Sequence, residues 1–315
     1  MRNRNFNMKM RYTLLVIFLL IIISFYFFQT PEKEFEEIYP YEDSVLTSLL
    51  SFRKVKLKKI ENNGNTWEYY YSDNGGKEET ILFIHGTGGA YDIWWQQIES
   101  LKDKYNIISI TLPPVNTLRA AAEGLVEVLD YEKIAQTHVV GTSMGGYIAQ
   151  YMMYHYPSRI SKAVLGNTFP PNDIYKKENK NLRIIMPLIP EWVIMYLFRE
   201  NVSEKIIPAS ENSKLVESYL HEQYYGYMSK KQIIGRFDIV LEYFELKQNP
   251  ETETKMIPKL IIESDNDPLI NEVLREKIKI LYPEAEVFVF HEKGHFPYLN
   301  QAQKYAQVLD LFFRK

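Results

Sequence analysis

"THVVGTSMGGYIAQYMMYHYP" (residues 137–157) joins a short apolar run to a longer amphipathic one, with one serine set between two glycines at the junction. Such a change of period reads as a strand feeding a helix through a tight turn. Gly-x-Ser-x-Gly by itself decides little, because at average glycine and serine usage about one chain in ten of this length contains it by chance. Between a strand and a helix it takes on a specific meaning. There it is an elbow that lifts Ser143 above the strand end in a strained conformation, while Gly141 and Gly145 spare side chains where strand and helix close on each other. The helix that follows points its partial positive charge at the same spot.

Outward from this stretch, short apolar strands alternate with helical segments from Thr80 onward, the signature of a mostly parallel sheet covered by helices on both faces. The strands are "TILFIHG", "NIISITL", "THVVGTS", "KAVLGNT", "PKLIIES" and "EVFVF". Ahead of them "FRKVKLKKI" and "TWEYYYSD" flank the turn "ENNGN", which predicts an antiparallel hairpin opening the sheet. From about Pro170 to Lys255 only helical segments rich in large apolar side chains occur, too long for a connecting loop. That insertion predicts a helical cap over the sheet end where ligands bind in α/β folds. The expected organisation is a core over 53–169 and 256–315 with the cap at 170–255.

A serine hydroxyl needs a base, and the base an orienting carboxylate, in the chain order Ser, acid, His. Asp267 follows an apolar strand in "LIIESDNDPLI", and His295 follows the last strand in "FVFHEKGHFPYL". Asp265, two residues before Asp267, competes for the acid role; beside the strand end it reads as a turn cap. His291 reads as a solvated or packed residue at its strand terminus, and His138 and His155 as structural. His221 falls in the cap, where no partner can be named. In "FIHGTGGAYDIWW" the N–H of Thr87, together with the N–H of Met144 after the serine, would form an oxyanion hole, with His85 bracing the turn. No metal or organic cofactor is required by this scheme.

Net charge of −3 and scattered lysines give nothing that recommends nucleic acid as a partner, and the absence of cysteine excludes disulfides, a thiol nucleophile and Cys-ligated zinc. The N-terminus has a different character. Between Arg11 and Glu32 lie twenty uncharged residues, of which 12–28 would span about 26 Å as a helix. Arg2, Arg4, Lys9 and Arg11 precede this stretch and an acidic segment follows, so the positive-inside rule puts the N-terminus in the cytoplasm and the remainder outside. The length favours an uncleaved signal anchor over 1–31 against a cleaved signal peptide. Residues 32–52 then read as a polar tether with a short helical piece.

Four pieces at the ends of separate strands, "HGTGG", "GTSMGG", "DNDPLI" and "GHFPYL", resemble the α/β-hydrolase family over Phe52 to Lys315. Within it, "GTSMGGYIAQ", "RISKAVLGNTF" and "GHFPYLNQAQKYAQVLDLF" resemble maspardin-like proteins. The resemblance implies two functions from different classes. Maspardin-type proteins are regarded mainly as binding or adaptor proteins and carry asparagine where this chain has His295, so the histidine here favours catalysis. Many active family members also have an Asp and Gly-x-Gly turn after the strand here written "IISITLPPVNTL", which this chain lacks. The expected activity is cleavage of an ester or related acyl bond by Ser143, Asp267 and His295 outside the cytoplasmic membrane. A lipid-like acyl substrate and a small soluble ester are both compatible with the cap, and amide, thioester and carbon-carbon substrates use the same triad.

Overall fold

The computed structural model describes residues 2–73, 75, 79–245 and 252–315, with the side chains of 2–8, 252 and 253 left out of account. Its strands are β1 (Lys58–Asn62), β2 (Asn65–Ser72), β3 (Thr80–Ile84), β4 (Asn106–Thr111), β5 (Thr137–Thr142), β6 (Ile160–Gly166), β7 (Lys259–Ser264) and β8 (Glu286–Phe290). They form one eight-stranded sheet in the order β1-β2-β4-β3-β5-β6-β7-β8, antiparallel only at the β1/β2 and β2/β4 pairs. Every residue of β3 and β5 is buried. Such a strand must be apolar on both faces, which is why these segments read as continuous rather than alternating runs.

The helices are α1 (Arg2–Tyr26), α2 (Phe35–Ile38), α3 (Ser44–Arg53), α4 (Trp95–Leu101), α5 (Leu118–Tyr131), α6 (Met144–His155), α7 (Ile174–Ile185), α8 (Glu191–Asn201), α9 (Lys214–Glu222), α10 (Lys230–Leu241), α11 (Glu272–Leu281) and α12 (Ala302–Phe313), with short helical turns between some of them. Side chains alternate across the sheet. Ile81 and Phe83 point to the face covered by α4 and α12, while Leu82 and Ile84 point to the face covered by α5, α6 and α11. Two cores therefore share one sheet, as the alternation of strands and helices implies.

The hairpin turn places Asn63 and Gly64 at φ of 48° and 74°. Two positive φ values in succession are what a tight turn matched to the strand twist requires. Its first strand starts later than the sequence pattern suggests, because Phe52 and Arg53 close α3 instead. Asp43 caps that helix by accepting from the N–H groups of Val45 and Leu46, and the i, i+3 pair Leu49 and Phe52 is buried.

Residues 32–52 are accordingly no loose tether. Phe35 and Leu49 are fully buried, each burial worth about 1.5–3 kcal/mol. Arg53 locks the segment down. Its Nε donates to Asp92 at 2.7 Å and its two Nη groups donate to both oxygens of Glu222 at 2.7 and 2.6 Å, while Tyr219 also donates to Asp92. Burial works against the charged guanidinium, but the hydrogen bond and charge of Glu222 and the charge of Asp92 hold its pKa above the ordinary arginine value. This cluster joins α3, the turn before α4 and cap helix α9.

Between β6 and β7 the described residues form helices and no strand, so the expected cap is α7 to α10. At the other end of the chain, α1 is long and apolar enough to cross a membrane, and none of its Lys9–Tyr26 window is buried in the protein. Arg53→Ala should leave two buried carboxylates without their cation and cost about 3–5 kcal/mol in chemical denaturation, with Arg53→Lys recovering only part of the loss because one ammonium cannot reproduce the fork.

Candidate active site

Ser143 sits between β5 and α6 at φ 53° and ψ −121°, a conformation that non-glycine residues rarely adopt. Steric contact explains how it is held. A Cβ on Gly145 would stand 2.2 Å from the carbonyl oxygen of Ile84, and one on Gly141 would stand 2.2 Å from that of Gly145. Backbone therefore touches backbone on both sides of the serine. The Ser143 N–H donates to the Gly166 carbonyl at 2.9 Å, and the Ser143 carbonyl accepts from the Thr168 hydroxyl at 2.6 Å. The serine itself is partly exposed.

His295 and Asp267 arrive from the loops after β8 and β7. The imidazole Nδ1 lies 2.8 and 3.0 Å from the two Asp267 carboxylate oxygens, and both side chains are buried. Burial alone pushes the Asp267 carboxyl up, but the charge and hydrogen bond of His295, the Asn167 amide and the Ile270 N–H outweigh it and hold the pKa below the ordinary carboxylate value. An ionised Asp267 keeps the imidazole proton on Nδ1, so Nε2 presents a lone pair. Asp267 is further fixed by N–H groups of Leu269 and Ile270 at 2.8 and 3.0 Å and by the Asn167 side-chain amide at 2.9 Å.

The competing pair has a different environment. Asp265 accepts from the Glu292 N–H and meets His291 Nδ1 at 2.8 Å, as a turn cap would, and the His291 side chain is 80% exposed. The Glu292 N–H, followed by His291, lowers the Asp265 pKa. His138 contacts Ser161 and stacks on Phe313, and His155 stacks on Tyr151. His221, for which the sequence offered no partner, lies 3.2 Å from the Ser203 hydroxyl.

Ser143, Thr87 and His295 line one cavity of about 330 Å³ beneath the cap, walled by apolar residues such as Phe169, Phe198, Val202, Ile206 and Phe237. Met144 opens α6 directly after the serine, its side chain buried below. Gly86 passes close over the serine, where a Cβ would stand 3.2 Å from that of Ser143.

His85 explains how this passage is oriented. Its Nε2 accepts the Leu112 N–H at 3.0 Å, which leaves the proton on Nδ1 to be donated to the Gly86 carbonyl at 2.6 Å. In a trans peptide the N–H points opposite the carbonyl, so tying down the Gly86 carbonyl also fixes the direction of the Thr87 N–H. Burial, then the positive charge of Arg236, holds the His85 pKa well below the ordinary value, so the ring stays neutral and keeps this tautomer.

Arg236, a cap residue that no sequence motif singled out, completes the support. It is buried and donates to the carbonyls of Thr87, Gly89 and Leu112 at 2.8, 2.9 and 3.3 Å. Burial lowers its pKa to about 10, which leaves it cationic at neutral pH. Leu112 begins the loop that lacks the Asp and Gly-x-Gly turn, and here His85 and Arg236 hold that loop instead. Asn167 was also missed, although its place just past an apolar strand, in "VLGNTF", is the signal that could have found it.

Comparison with known proteins agrees with this architecture. A family model described as the alpha/beta hydrolase fold matches residues 79–302. The chain belongs to the α/β-hydrolase fold family. This hydrolase is 22% identical over 275 residues to the 2-hydroxy-6-oxononadienedioate/2-hydroxy-6-oxononatrienedioate hydrolase of Paraburkholderia phymatum, covering 81% of this chain and 93% of that one. It is 23% identical over 267 residues to mouse (Mus musculus) maspardin, covering 81% and 83% of the two chains. Among solved structures, a membrane phospholipase A described as a bacterial virulence factor superposes with a TM-score of 0.64 at 18% identity, covering 96% of this chain and 98% of that one.

If the Thr87 N–H serves the oxyanion hole expected from the sequence, His85→Ala should release the Gly86–Thr87 peptide and lower kcat by up to about 10²-fold, the scale of one lost donor. KM should change much less; steady-state kinetics alongside circular dichroism separate this effect from misfolding.

Proposed function

We propose that the protein is a membrane-anchored serine hydrolase that cleaves an ester or related acyl bond through Ser143, His295 and Asp267. The observation that carries the reading is the shared cavity: the strained serine and the carboxylate-bound histidine open onto one apolar space beneath the cap. In this scheme His295 Nε2 takes the Ser143 proton as the hydroxyl oxygen bonds to the acyl carbon. The N–H groups of Thr87 and Met144 stabilise the resulting oxyanion. The bond to the leaving alkoxide then breaks as His295 returns the proton to it. Water, deprotonated by the same imidazole, attacks the acyl-enzyme and regenerates the serine.

The apolar walls suit an acyl chain or aromatic group, and the anchor would keep the site at a bilayer, which favours a lipid-like ester over a small soluble one. The likeness to a membrane phospholipase A over almost the whole chain supports the same choice of substrate class. In this reading residues 12–28, the apolar part of α1 and the two residues after it, are an uncleaved signal anchor, and the basic residues before Tyr12 hold the N-terminus in the cytoplasm with the hydrolase unit on the other side. The maspardin likeness supports the alternative, a binding protein using the same pocket.

A fluorophosphonate probe separates the two. The wild-type protein should be labelled covalently, Ser143→Ala should not, and His295→Ala should react at least about 10²-fold more slowly, the low end of what general-base catalysis contributes. A folded wild-type protein that stays unlabelled would leave only the binding reading standing.

A further inference from the structure

Six large apolar side chains between residues 182 and 197 face solvent: Leu182, Ile184, Ile185, Leu188, Tyr196 and Leu197, from 39% to 73% exposed. They lie on the end of α7, the turn after it and α8. Apart from α1 and the residues just after it, the other exposed large hydrophobic residues are spread along the chain, as on ordinary surfaces. A concentration of this kind on one stretch of a cap marks a surface with a partner.

The end of α1 identifies that partner. The indole N–H of Trp192, in the first turn of α8, donates to the Phe25 carbonyl at 2.9 Å, and its ring meets Phe25 and Phe28 edge-on at 4.8 and 6.0 Å. Lys230 donates to the carbonyls of Pro187 and Ile189 at 2.7 and 2.6 Å, and its ammonium also lies 3.4 Å from the Tyr26 hydroxyl. Leu188, the most exposed of the six, is thus held between two carbonyls gripped by the lysine that touches the last residue of α1. Tyr26 and Trp192 are also the residue types that settle at the level of lipid headgroups.

We infer that the α7–α8 face of the cap docks on the bilayer that holds α1, with Ile184, Ile185, Leu188 and Leu197 entering the boundary between headgroups and acyl chains. This rests on the reading of α1 as a membrane-spanning anchor. Apolar side chains at such an interface reach about 5–10 Å below the surface. The exposed Lys176 and Lys180 on α7 complement anionic headgroups beside the apolar patch.

The same helices also wall the cavity. Asn179 comes from α7, and Phe198 and Asn201 from α8. A lipid ester leaving the bilayer under this face would meet the cavity beside the helices that wall it, without passing through bulk water. The face therefore assigns a source to the substrate, the membrane itself, beyond assigning it a chemical class.

The chain has no cysteine, so one can be introduced at a chosen site and labelled alone. The full-length protein carrying Leu188→Cys, labelled with nitrobenzoxadiazole and reconstituted in phosphatidylcholine/phosphatidylglycerol vesicles, should show blue-shifted emission quenched at least twofold by shallow doxyl-labelled lipids. Ile280→Cys, 76% exposed on α11, serves as the water-facing control. Emission at position 188 indistinguishable from that at 280 overturns the inference, as does failure of the wild-type protein to remain with the vesicles after alkaline extraction.

As a second arm, Ile184→Asp combined with Leu188→Asp should slow hydrolysis of a vesicle-borne ester at least threefold while leaving a water-soluble short-chain ester unaffected. Equal rates for this double variant and the wild-type protein on the vesicle-borne ester count against the inference. A wild-type protein that hydrolyses neither ester defeats the hydrolase reading instead, and the emission result then decides the docking face alone.

Discussion

The structure depends on a backbone-to-backbone contact at the end of the sheet. Gly145 rests against the Ile84 carbonyl and Gly141 against Gly145, so β3, β5 and α6 meet with no side chain between them. Any Cβ at either position would force the helix away from the sheet. The serine between them pays for this closeness in conformation, a penalty of about 1–3 kcal/mol for a residue at φ 53°. Hydrogen bonds to Gly166 and from Thr168, together with the packing of α6 on both neighbouring strands, hold it there. The Gly86 turn and the floor of the cavity take their positions from the same contact.

Two arginines, Arg53 partly buried and Arg236 fully buried, then fasten the peripheral parts to this centre in different ways. Arg53 meets two carboxylates and ties the N-terminal segment and α9 to the turn before α4. Its removal would leave anions stranded, so it secures an assembly more than it adds net stability. Arg236 donates instead to three backbone carbonyls, in a place where a Cβ at the adjacent Gly235 would stand 2.4 Å from the Val115 carbonyl. The cap helix therefore lies directly on the core loop. A cation held behind the Gly86–Gly89 turn in a site of low dielectric polarises the peptides facing the cavity, and the cost of burying it is met by hydrogen bonds that also fix the turn. Cap and turn are thereby one unit.

The two neighbouring Asp–His pairs show how little residue type alone conveys. Asp265 with His291 and Asp267 with His295 both lie in the loops after β7 and β8, and both are within hydrogen-bonding distance. Water surrounds His291. Protein surrounds His295, where the carboxylate is restrained by two N–H groups and an amide, so orientation and charge are set in advance. Burial, not composition, separates a surface Asp–His contact from a preorganised one.

Much of this was legible in the chain. Runs such as "ILFI" (81–84) and "VV" (139–140) are apolar throughout because their strands are covered on both faces, and the Asn63-Gly64 turn follows from the need for positive φ. The nearness of Asp267 to His295 was also legible, since chain order and strand ends leave those residues few other places. What the sequence could not disclose involved contacts between distant segments with no local period. Phe35 and Leu49 looked like parts of a polar tether because the apolar side chains that cover them lie on elements far along the chain. No local motif singled out Arg236. Local pattern determines which faces must be hidden from water; only the folded chain decides which partner hides them, because desolvation and hydrogen-bond geometry are set by neighbours that lie far apart in sequence.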